Sequence, residues 1–324
     1  MKILFVGCGS IGKKHIRNLS KFKGIKILAC RVRGKDRKFE KKYQVKVYKN
    51  LKAALREKPN AVFVTNPTSM HVQIALKAAK AGAHLFIEKP ISHKLSGIKN
   101  LENIVKKKRL KVFVGYNMRF LWGLRKLREI IKSGKIGKVL YINAVAGQYL
   151  PDWRPNQDYR KSYSAKKKMG GGVILDLSHE IDYVRWLVGE AKEVFARTDK
   201  ISNLQIDTED VADISLKFKN GTIGNIHLDY LQRTPQRYCE IFGTKGSAFW
   251  DLYYRCVCFF DSTRNRWYSY TAPQNDMEKT YEEEMKHFLN VLRGKEKSSI
   301  TLEDGKKVLE IVLAAKKGRI VKLK

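Results

Sequence analysis

The sequence predicts two domains: an α/β doubly wound parallel sheet over residues 1–120, then an α+β domain with an open, largely antiparallel sheet over 121–324. Three observations carry this reading. The first part alternates short β-branched runs with amphipathic helical segments. Beyond about Val139 that alternation gives way to long strand-like runs joined by turn dipeptides. A length of 324 residues is also that of roughly two average domains.

Six strands are expected in order, at Lys2–Val6, Ile25–Cys30, Val45–Tyr48, Ala61–Thr65, His84–Glu88 and Lys111–Gly115, with helical segments between them. After Pro67, Val72, Ile74, Ala75, Leu76, Ala78 and Ala79 form an apolar helical stripe, and Gly82 stands where a helix stop belongs. A helix from Phe120 to Lys132 leads past Gly134 and Gly137 into the second domain. There the segments VLYINAVAGQYL, DVADISLKFKNGTIGNIHLDYLQ and YCEIFGTKGSAFWDLYYRCVCFF read as strands, with Asn220-Gly221 and Lys245-Gly246 as hairpin turns. Two helices close the chain, one from Glu278 to Leu292 and one with Asp304 as its N-cap.

Composition excludes several classes. A hydrophobic fraction of 43% with 10% aromatics is too rich for a disordered chain. No run approaches the ~18 apolar residues of a spanning helix, and the glycines and lysines of MKILFVGCGSIGKK replace a signal peptide's apolar stretch, so a cytoplasmic protein is expected. The five cysteines are odd in number and spread out. They read as thiols, and the close pair Cys256 and Cys258 lacks a second pair at zinc spacing, so no metal is expected. Against 31 acidic residues stand 66 basic ones, a net charge of +35. These lie on nearly every helix without a nucleic-acid-binding pattern, so they predict a basic surface that draws anionic small molecules.

Directly after the first strand comes Gly7-Cys8-Gly9-Ser10-Ile11-Gly12, opening a helix. In that setting the first glycine permits the turn, the second admits a pyrophosphate and the third packs helix on strand, which is the Rossmann dinucleotide fingerprint. The second strand ends in Cys30-Arg31-Val32-Arg33, with no carboxylate before Asp36 to accept ribose hydroxyls. Arg31 and Arg33, or Lys13 and Lys14, could instead meet a 2′-phosphate, so NADP is preferred to NAD; the alternative is solvated arginines and NAD held by main chain. Thr65-Asn66-Pro67 with His71, Glu88-Lys89-Pro90, and Asn117 with Arg119 all follow parallel strands, where such sheets place their ligand crevice. Lys89, confined between Glu88 and Pro90, can polarise a carbonyl or share a proton with a hydroxyl.

The fingerprint, N-P-x-x-x-H ending at His71, E-K-P at Glu88, the basic residue after Asn117, Gly170-Gly171-Gly172 and the H-x-x-D of His179 and Asp182 together resemble the glucose-fructose oxidoreductase and inositol dehydrogenase (Gfo/Idh/MocA) family. The resemblance covers essentially the whole chain. It implies an NAD(P)-dependent oxidoreductase acting on sugars, sugar derivatives or nucleotide sugars, with Lys89 catalytic. Three-residue steps place Asp176, His179 and Asp182 near one side of a helix, where a carboxylate would orient His179 as general base. The family more usually has its Asp four residues before the His; here Leu175 holds that position, so direct partnership of Asp176 with His179 is in question.

The loop from Gln148 to Lys161 brings Trp153, Arg154, Tyr159 and Arg160, aromatic faces and forked donors suited to an anionic sugar; a dimer contact or structural arm is the competing use. The assembled expectation is hydride exchange between a sugar hydroxyl and a nicotinamide. Lys89, His179 and Asp176 would be catalytic, Lys89, Asn117, Arg119, Trp153, Arg154, Tyr159, Arg160 and His179 would meet substrate, and Gly7, Gly9, Ser10, Ile11, Gly12, Arg31, Thr65, Asn66, Pro67, His71, Glu88, Lys89 and Asn117 would hold cofactor. A homodimer or homotetramer through the C-terminal sheet is expected, with no specific nucleic acid and no membrane partner. The rivals are a non-catalytic NADP-binding sensor or scaffold, and a basic nucleic-acid binder.

Overall fold

The computed structural model describes residues 1–31 and 37–323. The chain divides into two compact units, Met1–Tyr116 with Tyr281–Leu309, and Asn117–Thr280 with Glu310–Lys324. Arg33 and Asp36, invoked above for cofactor choice, lie outside the described residues.

In the first unit the chain runs β1 (Lys2–Val6), α1 (Ser10–Ser20), β2 (Lys26–Cys30), α2 (Arg37–Tyr43), β3 (Lys46–Tyr48), α3 (Leu51–Leu55), β4 (Ala61–Val64), α4 (His71–Lys80), β5 (His84–Glu88), α5 (Ile98–Lys107) and β6 (Val112–Gly115). Among the described residues the six strands form one parallel sheet in the order β3-β2-β1-β4-β5-β6. These strands are apolar on both sides, as a sheet covered on both faces demands. Phe5, Phe63, Phe86 and Phe113 stand opposite one another on β1, β4, β5 and β6. Their rings stack at centroid separations of 4.6, 4.4 and 5.3 Å, and Phe288 closes over Phe63 and Phe86 edge-on at 5.4 and 5.5 Å. Such pairs add about 0.5–1.5 kcal/mol each beyond their area burial, so this ladder fixes the middle of the sheet. Strand order reverses between β1 and β4, which opens a crevice at the carboxyl ends of those strands.

The second unit contains α6 (Trp122–Lys132), β7 (Val139–Gly147), α7 (Val173–Asp176), α8 (Ser178–Val188), β8 (Ala191–Asp199), β9 (Val211–Phe218), β10 (Ile223–Asp229), β11 (Gln236–Gly243), β12 (Gly246–Asp251), β13 (Cys256–Asp261), β14 (Arg266–Thr271) and β15 (Val321–Lys322). Among the described residues nine strands pair in the order β14-β13-β12-β11-β7-β10-β9-β8-β15, antiparallel throughout except β7 with β10. Side chains alternate in burial most plainly along β9, and Ile142, Ala144, Ile214, Leu216, Ile226, Leu228 and Ile241 are all buried. Two helices lie in the chain between β14 and β15, α9 (Asp276–Leu292) and α10 (Leu302–Ala315).

Local chemistry moved two helix starts. The helix expected from Phe120 begins at Trp122, because Asn117–Phe120 makes a 3₁₀ turn and the Asp276 carboxylate accepts the Trp122 amide proton at 3.1 Å. Asp304 is not the N-cap of α10: Thr301 Oγ1 accepts from the Asp304 amide at 3.1 Å while the Asp304 carboxylate accepts from the Thr301 amide at 2.9 Å, a reciprocal capping box. No helix among the described residues is long and apolar enough to cross a membrane.

Candidate active site

The fingerprint forms the cradle the sequence predicts. Gly7 turns the chain with φ +95°, and a Cβ there would stand 2.7 Å from the backbone of Thr65 and Asn66. A Cβ on Gly12 would stand 2.4 Å from the Gly7 carbonyl oxygen, so α1 packs on the turn only as glycine allows. Around the Cβ position of Gly9 nothing lies within 4 Å, and no side chain caps α1. Its first amide protons are therefore open to an anion beside an unobstructed glycine, which fits a dinucleotide pyrophosphate. Ser10 and Ile11 supply the first of those amides. Thr65 Oγ1 donates to the Gly7 carbonyl at 2.5 Å, locking the loop after β4 onto the fingerprint. Burial pushes the Cys8 thiol up to about 11, so it is a protonated bystander. Arg31, just past β2, lays its guanidinium 4.1 Å over the Phe39 ring.

Asn66, Pro67, His71, Glu88 and Lys89 gather at the carboxyl ends of β4 and β5. The buried His71 ring contacts the Asn66 and Pro90 carbonyl oxygens, and the Lys89–Pro90 peptide is cis. Glu88 is buried against His15 of α1, with Glu284 of α9 nearby. Burial, reinforced by Glu88, pushes the Glu284 carboxyl well above the usual carboxylate range. Sequence reasoning missed both His15 and Glu284, because each meets Glu88 across long separations that no local spacing signals. Between buried Glu88 and buried Pro90, Lys89 is half-exposed.

In the second unit the triple glycine brings the chain under Tyr163 and Ser164: a Cβ on Gly171 would lie 2.2 Å from the Tyr163 carbonyl oxygen. The single helix expected to carry Asp176, His179 and Asp182 is broken at Leu177 into α7 and α8. The three residues consequently take separate partners. The Tyr230 hydroxyl donates to Asp176 at 2.7 Å, and the Tyr163 hydroxyl also bonds Asp176. Burial and the Asp176 charge push both phenols well above their usual range, keeping them donors. Asp182 accepts a fork from Arg119 at 2.8 and 2.6 Å, both side chains almost fully buried. His179 alone is half-exposed within residues 171–185, a described stretch otherwise buried.

Asn117 is buried and donates to Thr280 Oγ1 at 2.6 Å. Trp153 donates from its indole to the Gln148 carbonyl at 3.0 Å and sets its ring edge-on to Tyr230 at 5.2 Å. Arg154, half-buried, follows it. Tyr159 accepts from the Gln205 amide, while Arg160 forks onto Asp158 at 2.8 and 3.1 Å, and this loop with Gln205 lines an open hollow of about 510 Å³.

Comparison with known proteins meets the same two units. Residues 1–116 match the model described as "Oxidoreductase family, NAD-binding Rossmann fold", and residues 124–249 match the "GFO/IDH/MocA C-terminal domain". The chain belongs to the Gfo/Idh/MocA family of oxidoreductases. As a Gfo/Idh/MocA protein it is an NAD(P)-dependent oxidoreductase. It is 32% identical to a myo-inositol 2-dehydrogenase of Thermotoga maritima, over 98% of this chain and 96% of the relative. Among solved structures, levoglucosan dehydrogenase in complex with NADH superposes with a TM-score of 0.88 at 21% identity, covering 100% of this chain and 99% of that one. The WlbA dehydrogenase of Bordetella pertussis, in complex with NADH and UDP-GlcNAcA, gives 0.83 at 20%, covering 100% and 98%. At those identities the likeness to the two structures is one of fold.

Proposed function

We propose that this Gfo/Idh/MocA oxidoreductase exchanges a hydride between a CH–OH carbon of a sugar, sugar derivative or nucleotide sugar and a nicotinamide, with Lys89 and His179 handling the hydroxyl proton. The observation that carries the reading is that Lys89 and His179 are each the half-exposed member of an otherwise buried motif. A titratable side chain that leaves a buried run at a crevice is placed to touch a ligand. The inositol dehydrogenase relative supports the substrate class.

The bound nicotinamide would supply the hydride acceptor or donor. Gly7, Gly9, Ser10, Ile11 and Gly12 bind the pyrophosphate, with Thr65, Asn66 and Pro67 forming the facing loop. In the oxidising direction the substrate oxygen loses its proton to Lys89 or His179 as the carbon loses hydride and the carbonyl forms; in reduction the same side chains return the proton. Asp176 acts by fixing the α7–α8 break through Tyr163 and Tyr230. Asn117 and Arg119, whose polar ends meet Thr280 and Asp182, act as positioning residues, while Trp153, Arg154, Tyr159 and Arg160 meet the substrate. The same reading places NADP ahead of NAD, on Arg31 and on the lack of a carboxylate between Cys30 and Lys35.

The second unit's sheet also supports assembly into a homodimer or homotetramer. Ile223, Tyr141, Phe242, Ser247, Phe260 and Trp267 stand in register across six neighbouring strands on one face, with Ile223, Phe242 and Trp267 exposed.

The test of the chemistry is turnover of a panel of polyols, sugars and nucleotide sugars by the wild type, Lys89→Met and His179→Asn. We expect each substitution to lower kcat by about 10²–10⁴-fold while cofactor affinity changes little. Unchanged turnover in both variants would refute the assignment.

A further inference from the structure

His71 opens α4 with an imidazole that is 1% exposed. Its Nδ1 lies 2.8 Å from the Pro90 carbonyl oxygen and its Nε2 lies 2.8 Å from the Asn66 carbonyl oxygen. Carbonyl oxygens only accept, and a neutral imidazole carries one N–H. Both contacts are hydrogen bonds only when both ring nitrogens are protonated. With one proton, the ring holds one carbonyl and turns a lone pair to the other. The two carbonyls belong to different crevice loops, one following β4 beside the fingerprint, the other directly after Lys89.

We propose that His71 is a positioning residue that ties the backbone of Asn66 to that of Pro90, both ties being made only by its imidazolium, and so holds Lys89 in register with the cofactor loop. The functional half of this statement rests on the roles given above to Asn66 and Lys89. Two charged groups face the ring: the Glu88 carboxylate on β5 favours the charged form, and the Lys89 ammonium opposes it. Burial is the largest influence and sets the His71 pKa below the usual histidine value, against the pull of the two carbonyls and Glu88. The sign follows. Both ties are present below that pKa, and one is released as pH rises through it. A glutamine at this position has one amide nitrogen and cannot donate in two opposed directions, so His71→Gln keeps at most one tie.

The experiment uses the full chain with ¹⁵N-labelled histidine. Two-dimensional ¹⁵N–¹H correlation reports the protonation of each ring nitrogen from the acid limit of folding up to about pH 8, the His71 signals being assigned by their loss in His71→Gln. In parallel, calorimetric titrations with NADP⁺ and with NAD⁺ measure affinity over the same range. We expect His71 to carry protons on both nitrogens on the acid side and on one nitrogen above. Affinity for the dinucleotide should be higher on the acid side and fall as the second proton is lost, by up to about tenfold, the worth of one hydrogen bond from a charged donor. In His71→Gln the affinity should not follow pH in this way. The proposal is overturned if one nitrogen stays unprotonated across the range, or if affinity ignores the titration that the spectrum reports. Should His71→Gln fail to fold, the wild-type spectrum, in which the other histidines are assigned by their own substitutions, and the wild-type affinity still decide it. Failure of both NAD⁺ and NADP⁺ to bind at any pH would sink the cofactor reading instead, and the ring's protonation alone would then support or overturn the double tie.

Discussion

Gly9 and Gly12 sit three residues apart in one fingerprint yet meet opposite surroundings, and this separates binding from folding. A Cβ on Gly12 would press to 2.4 Å of the Gly7 carbonyl oxygen, whereas a Cβ on Gly9 meets nothing within 4 Å. Gly12→Ala should therefore destabilise the protein by about 1–3 kcal/mol, the cost of overpacking a tight contact. Gly9→Ala should leave the melting temperature nearly unchanged while weakening NADH binding at least about tenfold, because the new methyl fills space left for the pyrophosphate. Thermal melts and fluorescence titrations of the two variants check this; equal melting temperatures would show that the Gly12 contact relaxes. Burial explains the remaining residues of the site in the same way. Removing Arg119 would strand the Asp182 carboxylate in the interior, a loss of about 3–5 kcal/mol, so its substitution reports folding before it reports substrate binding.

Pairing between strands sets the second unit's response to pH. His227 on β10 is bonded to Asp229, two residues along the strand, at 3.1 Å and to Asp213 on β9 at 2.6 Å. The Asp229 bond first, then Asp213, raises the His227 pKa from 6.5 to about 9 despite partial burial. A histidine whose folded pKa is raised contributes fully below its unfolded value and loses that contribution as pH rises through the folded one. The melting temperature should therefore decline between pH 6.5 and about 9, and His227→Gln should flatten the decline. The side chain is about a third exposed, so solvent screens the effect and a small slope is expected. A profile identical in wild type and His227→Gln would contradict the bridge. At this scale the sequence was legible where burial writes itself locally. All six strands of the parallel sheet appear as apolar runs, because both of its faces are covered. By contrast, β8 escaped notice since charged residues alternate along it, the edge strand β14 has no buried residue, and the two-residue β15 is too short to carry a pattern. The break at Leu177 has no glycine or proline to announce it. Tyr230, which donates to Asp176 just before the break, stands 54 residues away, a contact that side-chain spacing does not contain.

For the molecule as a whole, charge and assembly pull in different directions. A net charge of +35 raises the local concentration of anionic nucleotides and opposes association of like copies, while the apolar row across the second sheet favours it. At moderate salt, where surface repulsion is screened beyond about 10 Å, we expect sedimentation velocity to find a dimer or tetramer, and Phe242→Glu in the middle of the row to shift it towards monomer. A monomer at every salt concentration would remove the assembly reading. The central claim is hydride exchange, and it is tested most directly by following nicotinamide absorbance when the wild-type protein meets NAD⁺ or NADP⁺ with the panel of polyols, sugars and nucleotide sugars. We predict absorbance growth with at least one compound, abolished by Lys89→Met. A protein that binds the dinucleotide tightly, yet in neither direction changes that absorbance with any compound carrying a secondary hydroxyl or its ketone, would contradict the account.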